Sequence, residues 1–220
     1  MSLGYQVVPV TPFQQNCSII WCEKTRQAAV VDPGGDVETL LAQLQKLDVT
    51  VTKILLTHGH LDHVGGAKAL QAQLANVPII GPHRADTFWL QSIEQQCQMF
   101  GFPETRSFLP EQWLEEGESV MVGECALAVY HTPGHTPGHI IFFQAESKLA
   151  FVGDVLFSGS VGRTDFPQGS MSDLINSVVT KLWPLGEDIH FVAGHGPESD
   201  FATERKSNAY VADHVLANRG

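Results

Sequence analysis

The heptapeptide Thr57-His58-Gly59-His60-Leu61-Asp62-His63 constrains this chain more than any other feature. Four side chains able to bind metal fall between positions 58 and 63, directly after the apolar run Lys53–Leu56. A buried strand that ends this way must release those side chains into a shared site, because unpaired imidazoles and carboxylates are costly inside a core. Side chains alternate along extended backbone, so His58 and His60 share one direction. Asp62 and His63, in the turn into a helix, address a second point. For a lone His-x-His a polar surface loop is the simpler reading; four donors at the end of an apolar strand point to metal.

The same placement recurs three times. His135 lies in the turn after Leu127–Tyr130, Asp154 just after Leu149–Val152, and His195 just after Ile189–Val192. Gly134, Gly153, Gly194 and Gly196 flank them, and glycine permits sharp turns where several strand ends converge. Seven nitrogen and oxygen donors exceed the four that one zinc usually takes. They suit two ions if one carboxylate is shared, and Asp154, arriving alone from its own strand, is the natural bridge.

The remaining pattern is strand, turn, strand and helix, repeated with variations. Gln6–Pro9, Cys17–Trp21 and Gln27–Val31 are short β-rich segments separated by turn residues. Asp36 is placed to cap a helix reaching about Lys46, with Val37, Leu40, Leu41 and Leu44 at helical spacing. A helix over Val64–Ala75 and a strand at Pro78–Ile80 follow. His83–Glu118 is irregular, and its aromatic residues, Phe88, Trp89, Phe100, Phe102, Phe108 and Trp113, read as packing under a long loop rather than as walls of a pocket. Strands are then expected at Leu127–Tyr130, Ile140–Gln144, Leu149–Val152 and Ile189–Val192, with a helix from Ser170 or Ser172 to Lys181. No linker interrupts the chain. The expectation is one α/β domain over residues 1–220, with two sheets face to face and helices outside.

Charge and hydropathy narrow the partners. Thirteen Lys and Arg against 24 Asp and Glu give a net charge of −11, which disfavours nucleic acid. No window approaches the roughly 18 apolar residues of a membrane span. The N-terminus carries neither a basic run nor a long apolar stretch, which argues against a secretory signal. Cys17, Cys22, Cys97 and Cys125 lie far apart and read as reduced, buried thiols, so a cytoplasmic location is expected.

Together these motifs resemble the metallo-β-lactamase superfamily, in its glyoxalase II-like branch. The pieces that carry the resemblance are Val31-Asp32-Pro33-Gly34, Thr57 to His63, Pro133-Gly134-His135-Thr136-Pro137-Gly138-His139, Gly153-Asp154, Gly162-Arg163-Thr164-Asp165 and Gly194-His195-Gly196. The resemblance implies a four-layer αββα sandwich. It implies two divalent ions, zinc first with iron or manganese as alternatives, one held by His58, His60 and His135 and the other by Asp62, His63 and His195, with Asp154 between. Asp62 and Asp154 are the carboxylates it implicates in catalysis. It further implies hydrolysis of a small-molecule thioester by a metal-bridging hydroxide, with a hydroxyacylglutathione such as lactoylglutathione as substrate. Aspartate at 154, where zinc β-lactamases that use both ions commonly carry cysteine, fits the thioesterase branch. The helical C-terminal domain that long glyoxalase II enzymes use to hold glutathione has no counterpart in the 25 residues after His195.

Other residues receive smaller roles. Asp32 either orients a ligand histidine or serves only the Asp-Pro-Gly-Gly turn. His139 is read as a hydrogen-bonding partner outside the metal shell, and His131 is open between that role and ligation. His83, His190 and His214 read as structural or surface residues. Arg163 either holds a substrate carboxylate or pairs with Asp165 to stiffen its loop. The tail motifs Glu204-Arg205 and Asn208-Ala209-Tyr210 are given no catalytic role. Two rival functions remain: a persulfide dioxygenase using one iron on His58, His135 and Asp154, and a non-catalytic metal-binding module.

Overall fold

The computed structural model describes residues 1–218, so positions 219 and 220 of the expected 1–220 domain lie outside the described residues. The first half builds a five-stranded sheet from β1 (Leu3–Val10), β2 (Gln15–Cys22), β3 (Gln27–Val31), β4 (Thr50–Leu55) and β5 (Ile79–Ile80), in that order. The first three strands run antiparallel; β3, β4 and β5 pair in parallel. Helices α1 (Val37–Leu47), α2 (Leu61–Val64), α3 (Ala67–Gln73), α4 (Thr87–Gln91) and α5 (Ile93–Phe100) fill the connections after β3, β4 and β5.

The second half adds β6 (Ser119–Val122), β7 (Cys125–His131), β8 (Ile140–Gln144), β9 (Leu149–Gly153), the small hairpin β10 (Leu156–Phe157) and β11 (Ser160–Val161), α6 (Met171–Ser177), β12 (His190–Ala193), β13 (Ser199–Asp200), α7 (Phe201–Ser207) and α8 (Asp213–Ala217). Its six-stranded sheet runs β13-β12-β9-β8-β7-β6, with β9 and β12 parallel.

Three apolar layers fix the architecture. Ile20, Val31 and Leu55 of the first sheet meet Leu127, Phe142 and Phe151 of the second between the sheets. Their chain neighbours point the other way: Ile19, Val30 and Ile54 pack under Leu40, Leu44, Leu70 and Ile93 of the first helical layer. Ile141, Phe143 and Val152 likewise pack under Leu174, Val178 and Phe201 of the second. Strands apolar on both faces are what a period-two backbone needs when both faces are covered. The αββα sandwich is therefore as expected. No helix among the described residues is long and apolar enough to cross a membrane, and all four cysteines are buried and free.

Three local expectations change. Asp36 precedes α1, but its carboxylate accepts the Thr11 backbone N–H at 2.7 Å instead of capping the helix. The helix expected from Val64 is broken into α2 and α3 at Gly65-Gly66. A Cβ on Gly66 would lie 2.7 Å from the Pro33 carbonyl oxygen, so this contact between distant loops demands glycine. Regular α-helix after Ser170, whose hydroxyl accepts the Asp173 N–H at 3.2 Å, ends at Ser177 and continues as wider turns to Leu182.

Candidate metal centre

All seven expected donors meet at one edge of the sandwich. The loop after β4 carries His58 and His60, and α2 carries Asp62 and His63. The loops after β7, β9 and β12 bring His135, Asp154 and His195. Among the described residues, three sets have their ligand atoms within 4.8 Å of one another: a first group of His58, His60 and His135, a second of Asp62, His63 and His195, and a set of Asp32, His58 and His63 in which Asp32 is hydrogen-bonded to the far nitrogen of His63.

In the first group, His60 Nδ1 lies 3.2 Å from His58 Nε2 and 2.9 Å from His135 Nε2. The opposite nitrogens explain why these atoms are bare. His58 Nδ1 is 3.0 Å from Thr57 Oγ1, whose hydroxyl is committed to Asp32 Oδ2 at 2.5 Å. The imidazole must therefore donate there, leaving Nε2 as a lone pair. His135 Nδ1 donates to the Arg163 carbonyl at 2.7 Å, which frees its Nε2 in the same way. Burial, reinforced by repulsion among the rings, holds His58 and His60 well below the ordinary histidine value; burial also lowers His135. Three neutral nitrogens facing one point repel each other unless a cation lies between them.

The second group is anionic. His195 Nε2 is 3.1 Å from Asp62 Oδ2, and His63 Nε2 is 3.8 Å from it. His63 Nδ1 donates to Asp32 Oδ2 at 2.9 Å, and His195 Nδ1 donates to the Phe13 carbonyl at 3.2 Å. Burial opposes charge on His63, but Asp154, Asp62 and Asp32 outweigh it and hold this ring well above the ordinary value. Burial likewise opposes charge on His195, and its hydrogen bond to Asp62 raises it.

Asp154 stands between the groups. Its Oδ1 is 3.3 Å from His63 Nε2, and its Oδ2 is 3.5 Å from His135 Nε2 and 3.7 Å from His195 Nε2. Burial alone would raise this carboxyl; His63, His135 and His195 override it and keep Asp154 far below the usual carboxylate range. The buried, ion-facing atoms His63 Nε2 and Asp154 Oδ1 have no hydrogen-bond partner. The donors fit divalent metal: uncharged nitrogens, carboxylate oxygens and buried atoms left unsatisfied. Gly194 is required here, because a Cβ at that position would collide with Asp154 Oδ1.

The supporting residues sort clearly. Asp32 is buried, accepts the Thr57 N–H at 2.7 Å, and orients both His63 and the Thr57 hydroxyl, so it does more than shape its turn. His139 stays outside the cluster. Its Nε2 accepts the Asp154 N–H at 3.0 Å, and its Nδ1 faces Thr132 Oγ1 at 2.9 Å. His131 is not brought to the site; it stacks on His83 and donates to the Pro137 carbonyl at 2.8 Å. His190 pairs with Glu198 and His214 lies on α8, both away from the cluster. Arg163 pairs bidentately with Asp165, both contacts at 2.6 Å, and its guanidinium lies 4.2 Å over the Phe166 ring.

A cavity of about 510 Å³ opens over the cluster and reaches His60, Asp62, His135, Asp154 and His195. The aromatic stretch divides. Phe102, Phe108 and Trp113 pack against the core as expected, whereas Trp89 and Phe100 line the cavity, which corrects the reading of the whole stretch as packing.

One buried residue escaped the sequence altogether. Asp86 accepts the Gly59 N–H at 2.8 Å, the Thr136 hydroxyl at 2.8 Å and the Gly138 N–H at 2.5 Å. It thus ties the loop of His58 and His60 to the loop of His135. Burial pushes its carboxyl up to about 6 even against these three donors. In sequence Asp86 is a lone acid before a helix, with nothing to mark it.

Comparison with known proteins agrees with this geometry. The model of the metallo-beta-lactamase superfamily matches residues 10–195. The chain is 46% identical over 210 residues to a Haemophilus influenzae protein named hydroxyacylglutathione hydrolase GloC, covering 95% of this chain and 98% of that one. Among solved structures, BLEG-1, a B3 metallo-beta-lactamase, superposes with a TM-score of 0.87 at 31% identity, over 94% of this chain and 99% of that one. TTHA1623 in a di-iron-bound form gives 0.84 at 33% identity, over 93% and 99%. With the family model matching from the first sheet to His195 and a relative nearly half identical over most of its length, the chain belongs to the metallo-beta-lactamase superfamily.

Proposed function

We propose that this chain, as one unit over residues 1–220, is a glyoxalase II-type thioesterase acting on a hydroxyacylglutathione such as lactoylglutathione. The observation that carries the reading is Asp154, set between two complete donor groups at the floor of one cavity. The name of the Haemophilus influenzae relative supports the substrate class. Zinc is the proposed ion, with iron or manganese as alternatives; TTHA1623 is described with iron.

Two divalent ions at such a site supply a water of lowered pKa and Lewis acidity toward a carbonyl oxygen. The chain itself supplies orientation. Asp32, Thr57, the Arg163 carbonyl and the Phe13 carbonyl each fix the far nitrogen of one donor imidazole, which sets both tautomer and ring direction. Asp154 holds its position because His139 anchors its backbone N–H. A thioester suits this site because a thiolate leaves without a strong general acid. Dioxygenases of this superfamily keep both donor groups too, so what favours hydrolysis over a single-iron oxygenase is the name of the Haemophilus influenzae relative. The deciding experiment is elemental analysis of protein purified without added metal, with lactoylglutathione hydrolysis and oxygen consumption on glutathione persulfide measured on the same sample. Two ions per chain with hydrolysis support the proposal; one iron with oxygen uptake overturns it.

Arg163, on the cavity rim, is the proposed partner for a substrate carboxylate. It is exposed and already paired with Asp165, so its expected contribution is small. Arg163→Ala should raise KM for lactoylglutathione about threefold to tenfold, leaving kcat and metal content unchanged. Equal KM in both proteins would leave Arg163 as a stiffener of its loop.

Metal removal should also cost stability. A ligand that binds only the folded state stabilises it by mass action, by about 4 kcal/mol at a thousandfold excess over Kd. For 220 residues, at about 2–4 °C per kcal/mol, exhaustive chelation should lower Tm by roughly 8 °C or more. Calorimetry with and without chelator, with metal content verified, measures it.

A further inference from the structure

The metal-facing floor of the cavity is polar, but its walls are aromatic. On the side of His60 and His135 stand Trp89 and Phe166, whose rings lie 4.4 Å and 5.0 Å from the His60 ring. On the side of His195 stand Phe157, 6.3 Å from that imidazole, and Phe13, which meets Phe100 edge-to-face at 6.0 Å. Phe13 and Phe100 are 46% and 40% exposed, so they form a rim rather than a core.

The two longest polar side chains among these walls, Gln96 and Arg163, are engaged by the protein. Gln96 Oε1 accepts the Leu61 N–H at 2.9 Å, and its Nε2 donates to the Trp89 carbonyl at 2.9 Å. Arg163 spends Nε and Nη2 on Asp165 and lays its guanidinium face on Phe166. Whatever reaches the metal floor therefore passes between apolar faces, and a small polar acyl group would leave those faces wet.

We propose that the aromatic walls make this site select thioesters whose acyl group carries an apolar ring-sized substituent, with Phe166 and Phe13 as specificity-determining residues. The inference rests on the thioesterase reading above. A single added methylene in an apolar pocket changes discrimination by about 10–200-fold, so exchanging a methyl for a phenyl group reaches at least tenfold even in an open cavity.

Two matched pairs of compounds test it on holoenzyme of measured metal content. Lactoylglutathione and mandeloylglutathione differ only by methyl against phenyl next to the scissile carbonyl. S-methylglutathione and S-benzylglutathione lack that carbonyl and report the cavity without turnover. The expected result is at least tenfold higher kcat/KM for the mandeloyl ester and at least tenfold tighter calorimetric binding of the S-benzyl compound. Phe166→Ala should bring both ratios toward one. Because Phe166 also packs on His60 and His135, Phe13→Ala provides the second variant. It removes an exposed ring on the opposite wall while keeping the carbonyl that His195 uses, and it should reduce the same ratios. Hydrolysis of both esters with equal efficiency, and equal binding of the two thioethers, overturns the inference while the thioesterase reading stands. No hydrolysis of either ester, with the S-benzyl preference present and lost in Phe166→Ala, overturns the thioesterase reading while the selectivity of the cavity stands.

Discussion

Asp154→Ala should empty both halves of the metal centre at once and lower thioester hydrolysis by more than a hundredfold. A partner outside the metal shell typically costs about 10–100-fold on mutation, so a larger loss marks a shared ligand. The reason is positional. One carboxylate oxygen of Asp154 faces His63 and the other faces His135 and His195, so each donor group loses the carboxylate it shares with the other. Asp62→Ala is the control. It should weaken the group with His63 and His195 and spare the three-histidine group, giving about one ion per chain where Asp154→Ala gives none. Metal stoichiometry and kcat/KM on the same preparations decide it; two retained ions and near-normal hydrolysis in Asp154→Ala would falsify the bridging role.

The second large effect is expected at Asp86, on stability as well as on metal. Asp86→Ala removes the acceptor for the Gly59 and Gly138 N–H groups and for the Thr136 hydroxyl, all buried. Each buried donor left without a partner costs about 1–3 kcal/mol, so the loss should reach about 3 kcal/mol or more. At about 2–4 °C per kcal/mol for a chain of this size, Tm falls by at least roughly 6 °C. Because the bonds join the two loops that supply His58, His60 and His135, affinity for the first ion should also drop by about 10–100-fold. Asp86→Asn keeps one acceptor oxygen and should recover part of both losses. A variant that melts lower yet binds both ions with unchanged affinity would confine Asp86 to structural support.

What the sequence disclosed and what it hid follow one physical division. The convergence of the seven residues was legible because they cluster in the segments that follow the apolar strands β4, β7, β9 and β12, whose ends the layer rules bring to one edge. The layers were legible because Ile19-Ile20 and Phe142-Phe143 are apolar neighbours, which on a strand must face opposite sides. Contacts between segments far apart were not legible. The break at Gly65-Gly66 comes from Pro33, the cavity-facing position of Trp89 from His60 and Phe166, and the importance of Asp86 from two loops about 27 and 50 residues away. Arg163 fell between: its place beside the centre followed from motif order, but its pairing with Asp165 needed geometry.

The spread of the donors along the chain has a consequence for biosynthesis. His58 and His195 stand 195 − 58 = 137 positions apart, and the second group lacks a member until β12 has been laid beside β9. A polypeptide emerging from the ribosome can assemble His58, His60 and His135 once β8 is in place, but Asp62 and His63 must wait for β12 and the His195 that follows it. Contacts of such long sequence separation form late. The chain therefore becomes able to hold its full metal complement only when both sheets have closed on each other, so metal loading reports completed folding rather than guiding its first steps.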